Sequence, residues 1–108
     1  MSNEEIFYKV IIAPAANDRM AEYFEFLARV SESAANRLLD GLVDDIESLQ
    51  KIPFRNPLYD RPYVPPLKYR YMVSNKRYRI VYQIVGDTVF VDDIQDCRQS
   101  EEKDLLNL

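Results

Sequence analysis

Residues 69–98 read YRYMVSNKRYRIVYQIVGDTVFVDDIQDCR, three β-prone runs joined by two turn signals, with Arg70, Arg79 and Arg98 at matching places along them. A guanidinium stays charged and offers a rigid fork of donors, so it holds phosphate or carboxylate well and carries protons poorly. Three of them on one sheet face would form a small basic site. Such a cluster stands out in a chain of 108 residues whose formal net charge is −4. The charge is unevenly spread. Residues 1–50 carry four basic side chains against ten acids, residues 51–98 nine against five, and residues 99–108 one against three. The strand region is a basic island in an acidic chain.

Composition narrows the remaining chemistry. The chain has no histidine, so it lacks the commonest general acid–base group and the commonest metal ligand. That argues against a zinc site, a Ser-His-Asp triad and a His-dependent nuclease, and no metal or cofactor is expected. Two glycines, Gly41 and Gly86, cannot build a glycine-rich phosphate loop. The single cysteine, Cys97, excludes an internal disulfide and fits a reducing compartment. With no His to act as its base, Cys97 reads as a small buried apolar residue. No stretch approaches the roughly 20 apolar residues of a membrane span. The acidic start MSNEEIFYKV is unlike a signal peptide, so the expectation is cytoplasmic. Hydrophobic content of 47% and charged content of 30% suit a soluble globular protein, with one domain over residues 1–108. Residues 99–108 read as a flexible tail.

The elements that must position the arginines follow from periodicity. Ile6–Ile12 reads as a first strand ended by Pro14, with Lys9 suiting an edge position. Ala16, Met20, Tyr23, Phe24 and Leu27 fall at helical spacing within a first helix over 15–29. Ser31 or Ser33 caps a second, whose stripe is Ala35, Leu38, Leu39, Leu42, Ile46 and Leu49, with Pro53 as its limit. Asp40, Asp44, Asp45 and Glu47 read as a solvated outer face. Five of the six prolines lie in PFRNPLYDRPYVPP, residues 53–66. That density forbids a helix and points to an irregular surface crossing, with Tyr59 and Tyr63 as core or loop anchors. Ser74-Asn75-Lys76-Arg77 reads as a four-residue hairpin loop and Gly86-Asp87 as a two-residue turn. The fold class is α+β: β-α-α-β-β-β, a helical hairpin on one face of a small, mostly antiparallel sheet.

With those turns, Val73 pairs with Tyr78 and Val85 with Thr88. Tyr69, Tyr71, Val73, Tyr78, Ile80, Tyr82, Ile84, Val89 and Val91 then share the apolar face that the helices cover. The far face receives Lys68, Arg70, Met72, Arg79, Val81, Gln83, Phe90, Asp92 and Ile94, and a regular last strand adds Asp96 and Arg98. Arg79 lies opposite Met72 and diagonal to Arg70, about 7–8 Å away. A plainer reading stands beside this one. Arg79 is also diagonal to Asp92, and a surface ion pair contributes little. Exposed faces also carry Arg and Lys to discourage edge pairing.

The chain resembles the RelE/ParE superfamily, the toxins of bacterial type II toxin–antitoxin modules. The likeness rests on Tyr8-Lys9-Val10, Ala15-Ala16 and Asp18, Leu49 to Pro53, Tyr69-Arg70, Tyr78-Arg79-Ile80-Val81-Tyr82, Gly86-Asp87, and the close at Ile94 and Arg98. It implies the β-α-α-β-β-β toxin fold, a cognate antitoxin that wraps around the chain, and one of two targets.

RelE-like members cut mRNA on the ribosome without metal; ParE-like members inhibit DNA gyrase. For the ribonuclease, Arg79 matches a catalytic arginine, Arg98 lies near a second and Arg70 matches a lysine site. Metal-free cleavage also needs a base and an acid. Met72 stands at a second lysine position, and Gln99-Ser100-Glu101-Glu102 stands where a proton-transferring Tyr or His is expected. Overall acidity also disfavours a polyanionic target. Gyrase inhibition is therefore favoured, with Lys68, Met72, Gln83, Phe90 and Asp92 forming a protein-binding patch. The alternatives are the ribonuclease and an inactive member acting only as a binding module.

Overall fold

A computed structural model describes residues 7–97 of the chain. Strand β1 (Lys9–Ile12) leads into helices α1 (Pro14–Ala28) and α2 (Glu32–Ser48). A single 3-10 turn (Pro53–Arg55) precedes strands β2 (Tyr69–Ser74), β3 (Tyr78–Val85) and β4 (Thr88–Asp96). The sheet order is β1-β4-β3-β2. β1 runs parallel to β4 and the other pairs are antiparallel, so this is the expected α+β arrangement with β1 at an edge. Ile6, Arg98 and the tail 99–108 lie outside the described residues. Among the described residues no helix is long and apolar enough to cross a membrane.

The helices form where the periodicity places them. Pro14 supplies its fixed φ in the first turn of α1. Ser31 caps α2, its Oγ accepting from the Ala34 N–H at 3.1 Å, with Glu32 favourably placed in the first turn. Ala35, Leu38, Leu42 and Ile46 are buried along α2, Ala16 and Met20 along α1. They close on Tyr78, Ile80, Tyr82, Val89, Val91 and Ile94 to form the core. Asp40, Asp44 and Glu47 lie on the exposed side, as their spacing suggests.

Two registers differ from the sequence reading. Ser74 pairs with Tyr78 and Val73 with Arg79, so the first hairpin loop has three residues, not four. Asn75 and Lys76 both take left-handed φ values, 54° and 61°, and Arg77 N–H closes on Ser74 O at 3.2 Å. The tip is seated on α2: a β-carbon on Gly41 would meet Asn75 Oδ1 at 2.5 Å. Moving the register by one residue turns every side chain of β2 to the other side of the sheet. Ser74 is therefore buried at 1% exposure while Val73 is 51% exposed. Arg70 and Met72 turn to the helix side, and Tyr69 and Tyr71 to the far side.

The second difference is a β-bulge in β4, where Tyr82 pairs with Val91 but Val81 with Asp93. The extra residue reverses the alternation after Asp92. Ile94 joins the core instead of the far face, and Asp96 turns inward at 4% exposure.

The proline-rich segment is more than a surface crossing. Tyr59 N–H donates to Tyr69 O at 2.7 Å and Tyr71 N–H to Pro57 O at 3.1 Å, so residues 57–59 line the outer edge of β2. The first of its prolines sits in the 3-10 turn and is buried. Tyr59 is the expected anchor, whereas Tyr63 is 73% exposed. The tie to the core is Tyr82, fully buried, whose hydroxyl donates to Pro53 O at 2.6 Å and accepts from Asn56 Nδ2 at 2.9 Å.

Tyr82→Phe leaves that carbonyl and amide unmatched, at a cost of about 1–3 kcal/mol by urea denaturation. Burial raises the Tyr82 pKa in the folded chain. Its hydroxyl therefore contributes fully below the ordinary tyrosine value of about 10 and loses that contribution as pH rises through the folded pKa. Stability measured from neutral to strongly alkaline pH should fall less steeply in Tyr82→Phe.

Candidate functional site

The far face of the sheet is built around Arg79. Its Nη1 donates to Gln95 Oε1 at 2.9 Å, and its guanidinium lies 5.6 Å from the Tyr59 ring and 5.8 Å from the Tyr71 ring. Those rings meet edge-on at 6.0 Å. Arg61 covers Tyr59 at 4.7 Å, and the Tyr59 hydroxyl reaches Gln95 Oε1 at 3.4 Å. Gln95 in turn donates to Asp93 Oδ2 at 3.1 Å, and Arg19 of α1 approaches Asp93 Oδ1 at 4.0 Å. This face is a half-covered aromatic and cationic cluster. A cation this close to aromatic rings is attracted by their quadrupoles, and the Gln95 hydrogen bond fixes one end of the guanidinium.

Farther along the same face, Gln83 Nε2 donates to Asp92 Oδ2 at 2.6 Å, and Phe90 stands directly opposite Gln83. Arg79, Gln83, Phe90 and Asp92 thus share the face the sequence assigned to them. Arg70 and Met72 do not. Arg70 Nη1 donates to Phe54 O at 3.1 Å and Asn56 O at 2.6 Å, with its guanidinium 5.3 Å from the Phe54 ring. It clamps the start of the proline-rich segment from the helix side. Met72 packs against the core, with Ser48 Oγ 3.9 Å from its sulfur. Lys68 is exposed over the Tyr69 ring at 5.3 Å. Arg98 lies outside the described residues. The expected approach of Arg79 to Arg70 and Met72 is overturned by the three-residue hairpin loop.

Sequence reasoning missed Arg61 as a partner of this cluster, because nothing in a proline-rich stretch says which way it folds. It also missed the Arg77–Asp96 pair. Arg77 Nη2 meets Asp96 Oδ2 at 3.0 Å, and that hydrogen bond raises the Arg77 pKa. Both residues line a groove of about 330 Å³ together with Glu22, Tyr23, Phe26, Leu27 and Tyr78. Cys97 is half-buried, less enclosed than expected.

A family model described as ParE toxin of the type II toxin–antitoxin system parDE matches residues 10–101. The chain belongs to the ParE toxin family. Among solved structures this family member resembles one titled "Chromosomal ParDE TA system from P. aeruginosa". The TM-score is 0.68 and the identity 12%, over 83% of this chain and 96% of that one. At that identity the likeness is one of fold. No curated protein sequence matches the chain.

Arg79→Ala should keep the fold, losing roughly 1–2 kcal/mol by thermal melting. The same substitution should abolish growth arrest when the chain is induced in cells.

Proposed function

We propose that this ParE-family chain is the toxin of a type II toxin–antitoxin module, is neutralised by a cognate antitoxin, and acts by binding DNA gyrase. The observation that carries this reading is the separation of Arg70 from Arg79. Arg70 is spent on the Phe54 and Asn56 carbonyls on the helix side. Arg79 sits beside two tyrosines and against Gln95. Cleavage of RNA needs cations converging on one phosphate and an acid and base beside them. The carboxylates near Arg79 and Gln83 are engaged by amides: Asp93 by Gln95 and Asp92 by Gln83. Such an arrangement supports recognition of a protein surface, with Arg79 as a rigid, oriented anchor flanked by aromatics.

The RelE-like ribonuclease remains the second reading, because Arg79 keeps its place on the far face with Arg61 nearby through Tyr59. The two readings separate when the chain is induced alone in cells. Gyrase inhibition yields gyrase–DNA adducts and SOS induction with intact transcripts, and co-expression of the adjacent open reading frame restores growth. Transcripts cut at codons would overturn the gyrase reading, and absence of growth arrest would overturn the toxin reading itself.

A further inference from the structure

The proline-rich segment covers a part of the sheet that the helices do not reach. Val81 faces away from the helices, yet it is only 5% exposed. Tyr71 stands opposite it on β2, and Tyr59 folds over Tyr71 with ring centroids 6.0 Å apart. Tyr59 also covers one side of Arg79, its ring 5.6 Å from the guanidinium. The seal is made along the outer edge of β2. Tyr59 N–H donates to Tyr69 O at 2.7 Å and Tyr71 N–H to Pro57 O at 3.1 Å, beside the exposed residues Pro57, Leu58 and Asp60. Backbone bonds so near solvent are the first to open in a folded chain.

Both flanks of the segment are strained. Ile52 has φ 48° and Leu67 φ 66°, a left-handed backbone that is costly for either side chain and most of all for the β-branched one. The first flank is locked. Pro53 O accepts from the Tyr82 hydroxyl, and the Phe54 and Asn56 carbonyls accept from Arg70. At the second flank Leu67 is 82% exposed, so its side chain packs little against the fold. Between them Pro57, Pro62, Pro65 and Pro66 each fix φ. Arg61 lies over the Tyr59 ring at 4.7 Å, and Val64 N–H donates to Arg61 O at 3.0 Å. Residues 57–66 are thus a stiff unit, and any bending falls on its ends.

We infer that residues 57–66 are a lid over Arg79, fixed at residues 53–56 and opening about Leu67, and that the target is engaged in the open state. Opening relaxes Leu67 and withdraws Tyr59. Arg79 keeps Tyr71 at 5.8 Å and Gln95 at 2.9 Å, so it stays in place while one side of it is uncovered. The surface exposed offers a guanidinium fork to a carboxylate, with Tyr71 and Val81 beside it for an apolar group. The target segment that fits is therefore acidic and apolar together. While the lid is shut, apparent affinity falls by the fraction of chain that is open. The gating of the target rests on the gyrase reading above; the motion of the lid does not.

Native-state hydrogen exchange of the full chain reads the motion. The Tyr59 and Tyr71 amides should share one protection factor, roughly a hundredfold below those of Ile80 and Tyr82, and respond little to low denaturant. Exchange of all four in step overturns the lid. A staple reads the gating. Leu58 and Arg70 form an isolated antiparallel bridge, a non-hydrogen-bonded pair with α-carbons about 4.5 Å apart, within reach of a disulfide. In a Cys97→Ser background, Leu58→Cys with Arg70→Cys should inhibit gyrase supercoiling roughly tenfold less when oxidised than when reduced. The reduced form controls for the lost Arg70 clamp, and equal inhibition by both forms overturns the gating. Tyr59→Ala, which weakens the seal, should inhibit at lower concentration than the parent; weaker inhibition by the folded variant overturns the gating too. If the parent chain leaves gyrase active, the gyrase reading fails and the gating with it, while amide exchange still decides the lid.

Discussion

The pairing of β2 with β3 decides which side of the sheet each residue of β2 occupies, and most of what is particular to this molecule follows from it. The decision is made at the hairpin tip. Two consecutive residues, Asn75 and Lys76, accept left-handed backbone conformations, and the Asn75 side chain rests on Gly41 of α2. Asparagine tolerates that conformation better than most residues, and a lysine there is less usual. The seated tip commits Ser74 to the buried side. Arg70 and Met72 then face the helices, and Tyr69 and Tyr71 face away.

That placement gives the proline-rich segment its role. With Tyr71 on the far face, Tyr59 folds over it, edge to face, and Arg79 packs beside both rings. With Arg70 on the near face, its guanidinium reaches the carbonyls of Phe54 and Asn56. The buried Tyr82 hydroxyl fixes Pro53 and Asn56 from beneath. Residues 53–59 are thus tied from both sides of β2. The far face becomes a half-covered layer in which the Arg79 guanidinium lies beside both tyrosine rings and is hydrogen-bonded to Gln95.

Helices, the part of the near-face core made by β3 and by Val89 and Val91, and the tight Gly86-Asp87 turn were legible because each rests on local chemistry repeated over several residues. The α2 stripe, the Ser31 cap and the Val85–Thr88 pairing came out as read. The first hairpin was misread because Ser74 to Arg77 permits loops of different length. Hydropathy then favoured placing Tyr69, Tyr71 and Val73 inward. It misled because β2 is covered on both faces, by the helices and by the proline-rich segment, so an arginine can face the helix layer and tyrosines the other side. The bulge at Asp92 was hidden for a related reason. Asp92-Asp93 carries no local signal for an extra residue, which shows only in the change of partners from Tyr82–Val91 to Val81–Asp93 and in the inward positions of Ile94 and Asp96.

Family membership and fold therefore stand apart from the chemistry of the far face. A basic island was the first sign of function, yet its arginines are distributed: Arg70 to the loop clamp, Arg77 to Asp96 and Arg79 to the aromatic cluster. The separation of Arg70 from Arg79 depends on the hairpin register, which nuclear Overhauser contacts between α-protons read directly. Because Tyr71 N–H points outward to Pro57, the pairs Tyr71–Val81 and Val73–Arg79 are the close, non-hydrogen-bonded ones. Cross-strand contacts within those two pairs are expected. Contacts linking Met72 with Arg79 would instead bring Arg70 and Arg79 to one face and contradict the separation.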